Sequence, residues 1–119
     1  MVYTSGSAAL AALEMLVHLG RGTMLSAYMV ISCTFDSTLV SRIDRRRLPR
    51  HWRSYPALPA LQQLGDEWIT RATSVVLEVP SAVIETDVNY LFNPRHADVS
   101  AIRTGRPAGF EFDLRLLKP

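Results

Sequence analysis

The chain has 119 residues, 48% of them hydrophobic, with a net charge of +2 and one cysteine. That is the size of one ordinary domain with enough apolar side chains for a core, and a lone Cys33 excludes an intramolecular disulfide. The longest apolar run, residues 8–19, is too short to span a bilayer at ~1.5 Å per residue, and it contains Glu14. The opening "MVYTSGS" lacks the charged side chains of a secretory leader, so the expected location is cytoplasmic, with no membrane partner.

In chain order, "MVYTS" predicts a short strand, after which Ser5, Gly6 and Ser7 can end the strand and cap a helix. The helix covers residues 7–19 and is apolar on nearly every side, so it is expected to be buried over most of its circumference, with Gly20 as a left-handed stop. "MLSAYMVISC", 24–33, predicts a mostly buried strand, and "FDSTLVSRI" a turn followed by another short strand. From Arg45 to Pro59 three prolines and an arginine cluster predict an irregular surface segment.

"PALQQLGDEWITRAT" places Leu61, Leu64, Trp68 and Ile69 on one stripe, an amphipathic helix near 59–72. "SVVLEVPS" predicts a strand ended by Pro80, and "AVIETDVNYLFNP" a short extended piece and a turn before Pro94. "GFEFDLRLL" alternates Phe110, Phe112, Leu114 and Leu116 with polar residues, the period of a half-exposed strand. Strands and helices in this order do not alternate strictly, so the fold class is α+β with a mixed or antiparallel sheet.

Charge is unevenly distributed. Residues 42–53, "RIDRRRLPRHWR", hold six arginines against one aspartate, a local +5, which leaves −3 for the rest of the chain. Such a patch can attract nucleic acid, an acidic partner or a phosphate-bearing ligand. A single interleaved aromatic, Trp52, and no surrounding nucleic-acid motif favour a solvated loop, so direct nucleic-acid binding is not expected.

Within the first helix Glu14 and His18 are the long polar groups, and their spacing puts them on one face. Either that face meets solvent, where the two form a weak pair, or Glu14 lines a cleft in which a poorly solvated carboxylate stabilises developing positive charge. His18, Cys33, His51 and His96 lack metal-ligand spacing, so no metal is expected. "TSGSA" lacks a G-x-S-x-G elbow, and "GRG" at 20–22 is too short for a phosphate loop. The residues by themselves leave the function open.

Taken together, "VYTSGSAALAALEMLVHL", "LGDEWI", "VVLEVPSAVI", "NYLFNP" and "FEFDLRLL" resemble, in order from Val2 to Leu117, the RES domain, the toxin of bacterial RES–Xre toxin–antitoxin pairs. The resemblance implies a fold similar to that of ADP-ribosyltransferases and depletion of NAD by cleavage of its nicotinamide–ribose bond, with water or phosphate as acceptor. NAD is then the substrate and no cofactor is needed. By the same resemblance Glu14 is the family glutamate, Ser81 in "VPSAV" the family serine, and Tyr3 a tyrosine facing the nicotinamide ring. The implied partners are NAD and an Xre-type antitoxin, and a second copy of the chain can cover the sheet edge that a missing leading segment leaves unpaired. The family's upstream arginine has no counterpart here, so residues 1–119 read as a single RES domain without the usual N-terminal segment. The alternative is an inactive remnant that only binds the antitoxin or itself.

Overall fold

The computed structural model describes residues 1–18 and 28–117. The chain runs β1 (Val2–Ser5), α1 (Ala8–His18), β2 (Tyr28–Val30), β3 (Cys33–Thr34), β4 (Val40–Arg42), α2 (Pro59–Arg71), β5 (Val76–Pro80), β6 (Val88–Phe92), β7 (Arg103–Thr104) and β8 (Ala108–Phe110). Short 3₁₀ turns lie between them. The main sheet has the order β1-β6-β5-β4, with β4 parallel to β5 and the other pairs antiparallel; β2–β8 and β3–β7 form two small ribbons. This is the mixed α+β architecture expected. Parallel strands cannot be joined by a tight hairpin, and α2 provides the return from β4 to β5.

Register decides what each face of the main sheet carries. Ser5 stands opposite Asn89, which stands opposite Val79; Tyr3, Leu91 and Leu77 form the next row on that face. The other face carries Val2, Phe92, Val76 and Val40 in one row. A slip of one residue would exchange these sets, because side chains alternate along a strand with a period of two. On the first face Leu77 and Leu91 pack with Trp68 of α2. On the second, Val75, Val76 and Phe92 form a separate cluster, with Phe35 set edge-on to Tyr90 and Phe92 at centroid distances of 5.3 and 5.6 Å.

The helix boundaries follow from local chemistry. Ser7 caps α1 by accepting the Leu10 N–H through its hydroxyl at 3.1 Å. Pro59 opens α2, where its missing N–H costs nothing, and Ala72 closes it in the left-handed conformation (φ 50°, ψ 36°). The Trp68 indole N–H donates to Ser74 Oγ at 2.9 Å, which ties the end of α2 to the start of β5.

Four expectations are corrected. Helix α1 is buried along one stripe, Leu10 and Glu14, while Leu13, Met15 and Val17 are exposed, so an all-apolar circumference here is not an enclosed one. The strand expected over 24–33 is split into β2 and β3 with Met29 and Ile31 exposed, since each pairs with only one short neighbour. The extended piece and turn expected between Ala82 and Pro94 come in the opposite order: residues 82–87 turn, and β6 follows as an interior strand paired on both edges. The closing strand stops at Phe110: Phe112 is buried, but Leu114 is 77% exposed in a 3₁₀ turn. There Asp113 accepts the Arg115 backbone N–H at 2.9 Å, a local turn that competes with strand pairing. The expected stop at Gly20 and residues 24–27 of the expected strand lie outside the described residues.

Candidate functional site

Strand β1 and helix α1 are joined by two residues, so α1 folds back over the sheet face that carries Tyr3, Ser5 and Asn89. Gly6 allows the tight passage: its N–H donates to Val88 O at 3.0 Å, and a Cβ at this position would lie 3.1 Å from the same oxygen. On the buried stripe of α1 the residue one turn beyond Leu10 is Glu14, 8% exposed.

Four side chains converge on that carboxylate. Ser81 Oγ donates to Oε1 at 3.0 Å and Ser5 Oγ to Oε2 at 2.7 Å. Asn89 Nδ2 reaches both oxygens, at 2.9 and 3.1 Å. Tyr3 Oη lies 3.4 Å from Oε1 and places its proton on Asn89 Oδ1 at 2.7 Å. Each hydrogen bond to a charged acceptor is worth ~1.5–3 kcal/mol, enough in sum to offset the several kcal/mol of burying a carboxylate. Among the described residues no cationic side chain pairs with Glu14. Neutral dipoles, not an opposite charge, hold the acid in place.

The structure thus brings Ser81, at the end of β5, to Tyr3 and Glu14 on the adjoining β1 and α1. Ser81 is fully buried, and its hydroxyl also accepts the backbone N–H groups of Val83 and Ile84 at 3.1 and 3.2 Å. Its one proton therefore points at Glu14. Ser81 thus sits behind the carboxylate, its hydroxyl engaged by Glu14 and by its own turn. Tyr3 has an open ring and an enclosed hydroxyl: the residue is 58% exposed, yet its oxygen is tucked between Asn89 and Glu14. Burial of that oxygen first, and then the negative charge and hydrogen bonding of Glu14, push the phenol up to about 12, so it stays a donor.

Ser5 and Asn89 were missed by sequence reasoning. Signals for both exist: Ser5 shares the strand face of Tyr3 at a spacing of two, and Asn89 interrupts the otherwise apolar strand "VNYLF". His18 does not pair with Glu14; it is exposed, with its ring centroid 6.4 Å from that of Tyr55.

Glu14 and Tyr3 form part of the wall of a cavity of about 810 Å³ between α1, α2, the sheet and the segment around Trp52–Tyr55. Its size falls in the range of small-molecule sites, ~300–1,000 Å³. Its lining is mostly apolar, and among the described residues Glu14 is the one carboxylate on it. Among the described residues no group of three or more His, Cys, Asp or Glu could hold a metal, and no helix is long and apolar enough to cross a membrane.

A mixed sheet packed with two helices thus presents a carboxylate held by neutral dipoles to a mostly apolar cavity, the architecture of an α+β domain with one acid on its cavity wall. The chain belongs to the RES domain family, which it matches over residues 1–114. It is similar to Toxin Res of Yersinia enterocolitica, 33% identical over 116 residues that make up 97% of this chain and 76% of that protein. It is likewise similar to Toxin Res of Photorhabdus laumondii, 31% identical over 118 residues, 98% of this chain and 76% of the relative. The Prs ADP-ribosylating toxin of a Sphingobium species is 31% identical over 121 residues, covering 99% of this chain and 75% of that toxin.

Proposed function

We propose that this chain is a RES-family toxin that breaks the nicotinamide–ribose bond of NAD. The observation that carries the reading is Glu14: a carboxylate with no cationic partner among the described residues, held by four side chains at the wall of an apolar cavity. Nicotinamide in NAD is a pyridinium cation, and when the bond breaks its electron pair returns to the ring nitrogen. The leaving group is then neutral and needs no acid. Positive charge moves onto the ribose as an oxocarbenium ion, and a fixed carboxylate in a water-poor site stabilises that charge far better than bulk water does. The open ring of Tyr3 is suited to stack on the nicotinamide. Water adding to the sugar carbon gives ADP-ribose and a proton; a phosphate oxygen adding there gives the 1″-phosphate.

The toxin names of the relatives support this reading and imply an antitoxin that would cover the cavity, of the Xre type by the family resemblance. The name of the Sphingobium relative favours a second acceptor, a protein nucleophile, after the same bond has broken.

The test is nicotinamide release from NAD by the purified chain in phosphate-free and phosphate buffers, with products separated by chromatography. Glu14→Gln lowers the rate by about 10²–10³-fold, the loss typical of one electrostatic stabiliser. A parent chain that releases nicotinamide in neither buffer, and labels no protein from labelled NAD, sinks the reading. Antitoxin binding alone would then define a remnant.

A further inference from the structure

The turn that carries Ser81 has no strand ladder to hold it. Residues 82–87 leave β5 and enter β6 through two backbone hydrogen bonds, Ser81 N–H to Asp87 O and Asp87 N–H to Ile84 O, both 2.9 Å. Two consecutive carbonyls of this turn are gripped by one side chain from elsewhere. Arg53 donates through Nε to Ala82 O at 2.9 Å and through Nη2 to Val83 O at 3.3 Å, while Nη1 reaches Glu85 Oε2 at 3.3 Å. The ion pair with Glu85 is 44% and 55% exposed at its two side chains, where such a pair contributes little. The two carbonyl bonds are the hold of Arg53 on the turn, beside a 3.4 Å contact from Arg45 Nη2 to Glu85 O, and they need the planar fork of a guanidinium; a lysine offers a point charge on a flexible stem.

We propose that Arg53 is the positioning residue that sets Ser81 against Glu14, and so couples the Trp52–Tyr55 wall of the cavity to the carboxylate. The chain of contacts is short. Arg53 orients the Ala82 and Val83 peptides; the Val83 and Ile84 N–H groups orient Ser81 Oγ; Ser81 Oγ orients Glu14 Oε1. Trp52, Arg53 and Tyr55 lie on the cavity wall themselves, so the same segment that bounds the ligand space grips the turn behind the acid. Arg45 also reaches this turn, but of the six arginines of the basic segment Arg53 is the one that holds two of its carbonyls. The effect on catalysis rests on the proposed NAD cleavage, whereas the effect on the turn does not.

Two measurements separate these. Amide hydrogen exchange at Val83 and Ile84 is read by NMR in the full chain. Arg53→Ala and Arg53→Lys speed it by about tenfold, as expected when a charge-assisted hydrogen bond is lost, while Glu85→Ala changes it by less than about threefold. Unchanged exchange in Arg53→Ala overturns the proposal. Nicotinamide release is then measured for Arg53→Ala, Ser81→Ala and the double variant. Action through Ser81 lowers kcat with KM nearly constant, and the double variant is no slower than Ser81→Ala. Multiplied losses, or a rise in KM alone, overturn it in favour of direct contact with the ligand. A parent chain that does not cleave NAD refutes the function proposed above, and the exchange result then decides the role of Arg53.

Discussion

Asn89→Asp replaces an amide with a carboxylate of nearly the same shape and turns the strongest neutral support of Glu14 into a like charge. The distance is short, 2.9 Å from the amide nitrogen to Glu14 Oε1, and both residues are buried. Two charged carboxylates that close repel by about 6 kcal/mol at an effective dielectric constant of 20, an upper bound before relaxation. That is comparable with the whole stability of a small domain, ~5–15 kcal/mol. The folded variant responds by holding one proton between the two acids, whereas the unfolded chain releases it near pH 4. The sign follows: protonation favours the folded variant, so its deficit against the parent is small near pH 4.5 and grows as the pH rises. The expected deficit is about 1 kcal/mol at pH 4.5 and about 3–5 kcal/mol at pH 8, the cost range of an uncompensated buried charge. Urea unfolding followed by tryptophan fluorescence measures both. A deficit equal at the two pH values to within about 0.5 kcal/mol, the usual limit of additivity, would show that Glu14 and Asn89 do not touch.

Tyr3 gives a second pH signature. Its folded value lies near 12 against an ordinary 10.0, so it contributes stability that is fully present below pH 10 and is lost as the pH rises through 12. Tyr3→Phe keeps the ring and removes this part of the alkaline slope, so parent and variant unfolding free energies converge between pH 9 and pH 12. A gap that stays constant over that window refutes the hydroxyl placement. At the end of α2, Ala72 carries a left-handed backbone at φ 50°, where a Cβ is disfavoured. Ala72→Gly is therefore stabilising by about 1 kcal/mol, with a higher urea midpoint and no change in nicotinamide release. Destabilisation would mean that α2 does not end there.

Much of the local structure was legible in the sequence because local structure is driven by near neighbours. Ser7 caps the helix it precedes, Pro59 opens the next one, and Val76–Pro80 forms a strand that needs no knowledge of its partners. Glu14 stood out for the same reason, as a carboxylate in a run of apolar residues where burial is costly. The order and spacing of "GDEW", "VPSAV" and "NYLFNP" pointed to the family that the chain matches over residues 1–114.

What the tertiary structure alone decided is which of these pieces meet. Periodicity assigns a side chain to a face but not to a neighbour, so nothing local could show that Ser5 faces Asn89 across 84 residues, or that Asn89 spans both oxygens of Glu14. The same limit explains why the expected strand does not continue over 111–117: its alternation is real, but Asp113 and Arg115 close a 3₁₀ turn there instead of a ladder. Burial of α1 along a single stripe follows likewise from what packs against it rather than from its own composition. The direction of the Ser81 proton and the grip of Arg53 on the adjoining turn are consequences of chain segments far apart in sequence arriving at one corner. The amino-acid order determined the carboxylate and the elements around it; long-range strand pairing, whose hydrogen bonds form only once the whole sheet is in register, determined the company it keeps.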